Sequence, residues 1–164
     1  MLLPHLDAAY TLARHLLRDP HDAEDAVQDA YLRAARYFHT LRDGDGRAWL
    51  FTILRRTCTN AANTRRAQPS ISIDEPVLQL VDGHATPDEE TSMSMERERV
   101  TRTMAELPAE LRETLMLREV SDCSYQEIAT IMSVPVGTVM SRLSRARARV
   151  VAQLRPTIGE GETA

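Results

Sequence analysis

Apolar residues recur along most of this chain at helical spacing. Leu3 to Leu17 is periodic, Asp19-Pro20 interrupts, and a second periodic stretch runs from Asp22 to Phe38. In that stretch Ala23, Ala26, Val27, Ala30, Ala34 and Phe38 form the expected buried stripe. Asp43-Gly44-Asp45-Gly46 then breaks the chain. A third helix is expected from about Arg47 to Arg66, burying Leu50, Ile53, Leu54, Cys58 and Ala61. From Pro69 to about Met95 the periodicity is lost and Pro69, Pro76 and Pro87 appear, which predicts an extended linker. Helical pattern returns from Glu96 to Arg155, jointed at Leu107-Pro108, and Pro156 to Ala164 reads as a disordered tail. The expected fold is all-α: two small helical domains, 1–68 and 96–155, joined by the linker 69–95 and followed by the tail 156–164.

Composition agrees with helices, because aromatic residues make up only 4% of the chain and packing must rest on Leu, Val, Ile, Ala and Met. The 20 basic residues are all Arg, and 24 acids give a net charge of −4. A uniformly basic coat for nucleic acid is thereby excluded, so any such function requires local segregation of charge. That segregation is present. Between Leu41 and Gln68 lie Arg42, Arg47, Arg55, Arg56, Arg65 and Arg66, against Asp43 and Asp45 alone. Thr138 to Arg155 carries Arg142, Arg145, Arg147, Arg149 and Arg155 with no acid. The linker is the reverse, with Asp74, Glu75, Asp82, Asp88, Glu89 and Glu90 and no Arg. Cys58 and Cys123 fit neither a disulfide framework nor a zinc spacing, and the first residues lack a signal peptide's pattern. No apolar run approaches the roughly 18 residues of a membrane span, so a cytoplasmic protein without direct membrane insertion is expected.

Ser124-Tyr125-Gln126-Glu127-Ile128-Ala129-Thr130-Ile131-Met132, then Ser133-Val134-Pro135 and Val136-Gly137-Thr138-Val139, has helix-turn-helix spacing. Small Ala129 permits a close crossing, and Ile128, Met132, Val134 and Val139 supply a shared core. Ser133 stands at the turn position often taken by Gly. On a helical wheel Val139, Leu143, Ala146 and Val150 face inward, leaving Gly137, Ser141, Ser144 and Arg145 outward, flanked by Thr138 and Arg142. Short side chains near a helix start can approach base edges, and Arg can pair bidentately with guanine.

In the first half, the polar face opposite the alanine stripe carries Asp25, Gln28, Asp29 and Arg36, with Leu32 at its centre. An apolar residue ringed by charges is the pattern of a protein-contact anchor. The following helix presents Thr52, Arg55, Thr59, Asn63 and Arg66, with Arg56 beside them, as a basic and amide-bearing strip suited to a nucleic-acid backbone and base edges. Tyr37, Phe38, Trp49 and Phe51 cluster around the Asp-Gly loop. They read either as a platform on which an unpaired base could stack or, for Phe38 and Trp49, as core.

In this order the segments resemble bacterial RNA polymerase sigma factors of the extracytoplasmic-function class, in the sigma-70 family. Asp22 to Ala34 is similar to the family's polymerase-binding helix, and Arg47 to Arg55 to its downstream-promoter helix. Leu107-Pro108, Ser124 to Ala129, Gly137 to Leu143 and Arg145-Ala146-Arg147 are similar to its second DNA-binding domain. The resemblance implies that Asp25, Gln28, Asp29, Leu32 and Arg36 dock on core RNA polymerase. It implies that the loop from His39 to Arg47, with Arg47, Arg55, Arg56, Asn63 and Arg66, reads the minus-10 element and holds a flipped base. Gln126, Gly137, Thr138, Ser141, Arg142 and Arg145 would read the minus-35 element. The acidic linker would thread the polymerase's RNA exit path, and an anti-sigma factor would cover these surfaces. Core polymerase, promoter DNA and an anti-sigma factor are thus the implied partners, with no catalytic residue, no cofactor, no metal and no small-molecule substrate. Met140 stands where the family commonly has Lys, and Arg56 where Asn is frequent.

Alternative functions predict different features. An ordinary helix-turn-helix regulator would carry a ligand pocket or phosphoacceptor in its first half. A sigma mimic that titrates an anti-sigma factor would be expected to lose Arg55, Arg56, Arg65 and Arg66, which are present. A metal phosphohydrolase would rest on His5, His15, His21-Asp22 and Asp25, where capping and dipole roles suffice for Asp22.

Overall fold

The computed structural model describes residues 2–42, 44–68 and 87–155, with side chains from 92 onward in the second stretch of helices. Among these residues there are seven α-helices and no strand: α1 (Leu6–Leu17), α2 (Pro20–Tyr37), α3 (Gly46–Ala67), α4 (Pro87–Glu106), α5 (Ala109–Glu119), α6 (Tyr125–Met132) and α7 (Val136–Leu154). Single 3-10 turns, Leu3–His5 and Phe38–Thr40, precede α1 and follow α2.

Local chemistry sets the boundaries. Asp19 caps α2, its carboxylate accepting from the His21 and Asp22 N–H groups at 2.8 and 3.2 Å, and Pro20 occupies the first helical position. The capping role expected of Asp22 therefore belongs to Asp19, and Asp22 lies in the first turn, favourable to the dipole. Asp45 caps α3 in the same way, accepting from Arg47 at 2.9 Å and Ala48 at 3.4 Å. The Asp-Gly break is thus a helix start as well as a turn.

α1, α2 and α3 pack on one another, and α5, α6 and α7 form a second three-helix unit with α4 laid against α7. Both units contribute to one continuous buried apolar cluster, because α3 packs on α6 and α1 on α5. In α2 the expected alanine stripe is buried, but Phe38 is 46% exposed, because the helix ends at Tyr37 and the 3-10 turn carries Phe38 out of the stripe. In α3 the buried set is Ala48, Leu50, Phe51, Leu54 and Cys58. Ile53 and Ala61 are only half-buried: α3 is covered from several sides, by α1, α2 and α6, and this turns Ala48 and Phe51 inward. Phe51 is fully buried and unavailable for base stacking; Trp49 is half-buried. The expected linker is shortened by α4, which begins at Pro87, a favoured first helical position. Residues 69–86 and the tail 156–164 lie outside the described residues.

The turn between α6 and α7 resolves the Ser133 mismatch. Ser133 is left-handed (φ 55°, ψ 47°), its N–H donates to Thr130 O at 3.3 Å, and the Val134 N–H donates to Ala129 O at 3.0 Å. That is a Schellman termination, the geometry for which Gly is preferred. Ser pays the left-handed penalty here because the flanking helices fix the turn.

Candidate docking and nucleic-acid interfaces

On α2, Asp25, Gln28, Leu32 and Arg36 are exposed along one face, and Asp29 is half-buried and ion-paired to Arg33 at 2.9 Å. Leu32 is 66% exposed at its centre. The sequence-predicted docking residues thus share one open surface, produced by burying the alanine stripe behind them. Small residues in that stripe let α1 and α3 pack closely against α2.

The predicted minus-10 strip divides. Arg56, Asn63 and Arg66 are exposed on α3. Arg47 and Arg55 instead turn into the junction between the two helical units. Arg47 forms a two-bond fork with Glu127 of α6, Nε to Oε1 at 2.9 Å and Nη2 to Oε2 at 2.6 Å, and its Nη2 also donates to Asp122 O at 3.2 Å. Arg55 forks onto Glu113 of α5, at 2.5 and 3.3 Å. All four side chains are largely covered, the arginines 27% and 31% exposed and both glutamates 12%. Arg65, near the end of α3, ties that end to Asp19 and Asp22 of α2.

Glu127 also completes a capping box with Ser124: Ser124 Oγ accepts from the Glu127 N–H at 3.1 Å, and the Glu127 carboxylate accepts from the Ser124 N–H at 2.5 Å. Burial pushes this carboxyl up, but the Arg47 fork, Asp45 and the Ser124 N–H more than reverse that and hold it at about 2. Asp45 is shifted upward by the adjoining Glu127 and by burial. The four-residue spacing of the capping box was readable in the sequence. The junction was not, because Glu113 and Glu127 lie far along the chain from the arginines they meet.

In the helix-turn-helix, Ile128, Ala129, Met132, Val139, Leu143 and Ala146 are buried as the wheel requires, and Val134 is partly buried. Gln126, Gly137, Ser141 and Arg145 are exposed and Thr138 is half-buried. A Cβ added at Gly137 would meet nothing within 4 Å, so the start of α7 is open space. Arg142 departs from expectation. Its side chain is only 13% exposed and pairs with Glu110 of α5 at 3.2 Å, since α7 packs on α5 along that edge. Arg147 likewise pairs with Glu119 at 2.8 Å. Met140 is 54% exposed, so the departure from Lys falls on the open face.

Both thiols are buried; burial, then the neighbouring Glu113, pushes Cys58 up to about 12, and burial, then Glu127, does the same to Cys123. Among the described residues no group of three or more His, Cys, Asp or Glu is placed to hold a metal ion, and no helix is long and apolar enough to cross a membrane.

Comparison with known proteins addresses the chain in two parts, residues 1–68 matching the model of sigma-70 region 2 and residues 97–150 that of sigma-70 region 4. The RNA polymerase sigma-H factor of Pseudomonas aeruginosa is 34% identical over 152 residues, 88% of this chain and 79% of that protein. The ECF RNA polymerase sigma-E factor of Escherichia coli K12 is 38% identical over 146 residues, 84% of this chain and 76% of that protein. Among solved structures, the sigma factor RpoE in complex with the anti-sigma factor NepR from Bartonella quintana superposes with a TM-score of 0.77 at 27% identity, covering 95% of each chain. With both helical units matched and the relatives aligned across the region between them, the chain belongs to the sigma-70 family of RNA polymerase sigma factors, in the extracytoplasmic-function class.

Proposed function

We propose that this chain directs promoter-specific initiation by core RNA polymerase, with α2 as the polymerase-docking element, α3 as the minus-10 reader and α7 as the minus-35 reader. The observation that carries the reading is the arrangement of three exposed faces of different chemistry on one helical frame. Leu32 among Asp25, Gln28, Asp29 and Arg36 suits a protein partner. Arg56, Asn63 and Arg66 suit a DNA strand, with Arg47 and Arg55 joining them once the junction opens. Gln126, Thr138, Ser141 and Arg145 suit a major groove, and α7 has no side-chain cap, so its first N–H groups are free to meet a phosphate. Arg142 serves that helix by fixing it on α5.

Domain 1–68 would then dock and read the minus-10 element, 69–95 would act as the spacer, and 96–155 would read the minus-35 element. The chain acts as a binding subunit in the cytoplasm, with no reaction of its own. The complex of a related sigma factor with NepR supports an anti-sigma factor as its regulator. Reconstitution with core polymerase, followed by run-off transcription from a promoter library, tests the function. Promoter-selective transcripts are expected, and failure to bind core refutes it. A sigma mimic would bind the anti-sigma factor but yield no transcript; the exposed Arg56, Asn63 and Arg66 favour the active factor.

A further inference from the structure

We propose that the free chain is latched shut by its own carboxylates: Glu113 and Glu127 of the second helical unit occupy Arg47 and Arg55 of the minus-10 strip in place of DNA phosphates. The proposal rests on the assignment of that strip given above.

Arg47 and Arg55 are eight positions apart on α3, a little over two turns and about 12 Å along the axis, and so lie within one broad side of the helix. Each meets a carboxylate through two parallel N–H donors. A carboxylate offers the same pair of oxygens to a guanidinium fork as a phosphate does. While the forks are made, the Nε/Nη2 edge of each guanidinium is engaged by a carboxylate and cannot present that fork to a DNA phosphate. Both carboxylates come from the minus-35 unit, so the contact that masks the minus-10 reader also fixes the minus-35 reader against it.

One of the two acids is positioned in advance. Glu127 is held by the Ser124 N–H as part of the α6 cap, and its Oε2 accepts from Ser124 N–H and Arg47 together. Little side-chain freedom is lost when the latch closes. Asp122 O adds a further acceptor to Arg47, and α1 meeting α5 buries apolar surface beside the ion pairs. The docking face of α2 remains open throughout, with Leu32 66% exposed. Closure therefore permits polymerase binding and blocks part of DNA binding, which imposes an order: docking first, opening of the α3 junction second, promoter reading last.

The test uses the full chain without polymerase. Small-angle scattering is measured on wild type, Glu113→Gln, Glu113→Arg, and Glu113→Arg combined with Arg55→Glu. Glu113 is outside the α6 cap and outside the docking and DNA-reading faces, so the changes at Glu113 spare both; Arg55→Glu alters the minus-10 strip and is used only for the scattering comparison, and circular dichroism checks the helices. Glu113→Arg places like charges in contact and is expected to enlarge the radius of gyration; the reversed pair is expected to restore the compact value. An unchanged radius in Glu113→Arg overturns the latch, as does failure of the reversed pair to restore compactness.

Binding of fluorescent oligothymidine by Glu113→Gln/Glu127→Gln is then followed against salt. Two released guanidiniums are expected to steepen the log–log salt slope by about 1.4 relative to wild type. Expansion together with an unchanged slope upholds the latch and refutes the assignment of Arg47 and Arg55 to DNA, so the two readings fail separately.

Discussion

Truncation of Leu32 isolates the docking face from the fold. Leu32 is 66% exposed on α2, and its neighbours on the buried side of the helix are the alanines of the stripe. Complete burial of a Leu side chain contributes about 1.5–3 kcal/mol. Covering the two thirds that is open by a partner accordingly contributes about 1–2 kcal/mol, so Leu32→Ala is expected to weaken core polymerase binding about 5- to 30-fold. Leu32→Glu adds the cost of placing a carboxylate in an apolar contact and is expected to abolish binding at concentrations that saturate the wild type. Neither change opens a cavity, and Ala is the better helix former, so unfolding free energy should stay within about 0.5 kcal/mol of wild type. Fluorescence anisotropy of labelled chain titrated with core polymerase gives the affinity, and urea unfolding gives the control. Normal affinity of Leu32→Glu with unchanged stability would refute α2 as the docking element.

Other outcomes follow from the same geometry. Acid should destabilise the chain in two steps. Burial, with Arg112 and Arg14 nearby, holds His15 below its ordinary 6.5, so the unfolded state takes up that proton first and stability falls as the pH drops below 6.5. The Glu127 carboxyl, at about 2 against an ordinary 4.5, contributes stability above 4.5 that is lost as the pH falls toward 2, on the order of 1–2 kcal/mol after allowance for solvent screening. Thermal melts should show Glu127→Gln flattening the lower step only. Arg145→Ala should cost about 1–3 kcal/mol in discrimination of a minus-35 duplex by the holoenzyme, measured by competition binding, whereas Arg142→Ala should act mainly on unfolding stability. Cys58 and Cys123 should resist a thiol reagent at neutral pH until the chain is denatured, when both react.

Most of the local structure was legible in the sequence because it is governed by short-range rules. The alanine stripe of α2, the helix-turn-helix core and the exposed Leu32 follow from periodicity alone, and Ser124 with Glu127 is a capping box written in four residues. The sequence places Ser133 at a turn position often taken by Gly, and the left-handed backbone found there supplies the reason for that preference. Errors of detail arose at helix ends: Phe38 left the stripe when α2 gave way to a 3-10 turn, and Pro87 began a helix inside the expected linker.

The sequence by itself therefore determined the helices, the faces they expose and the segregation of charge hidden within a net −4. Tertiary structure decided which of the charges are available. Periodicity places Arg55 and Arg142 on polar faces, and the resemblance assigns Arg47 to DNA, but neither contains information about a carboxylate arriving from another helix. An ion pair formed across 58 or 80 residues of chain depends on how the helical units pack, since opposite charges attract wherever the fold brings them within a few ångströms.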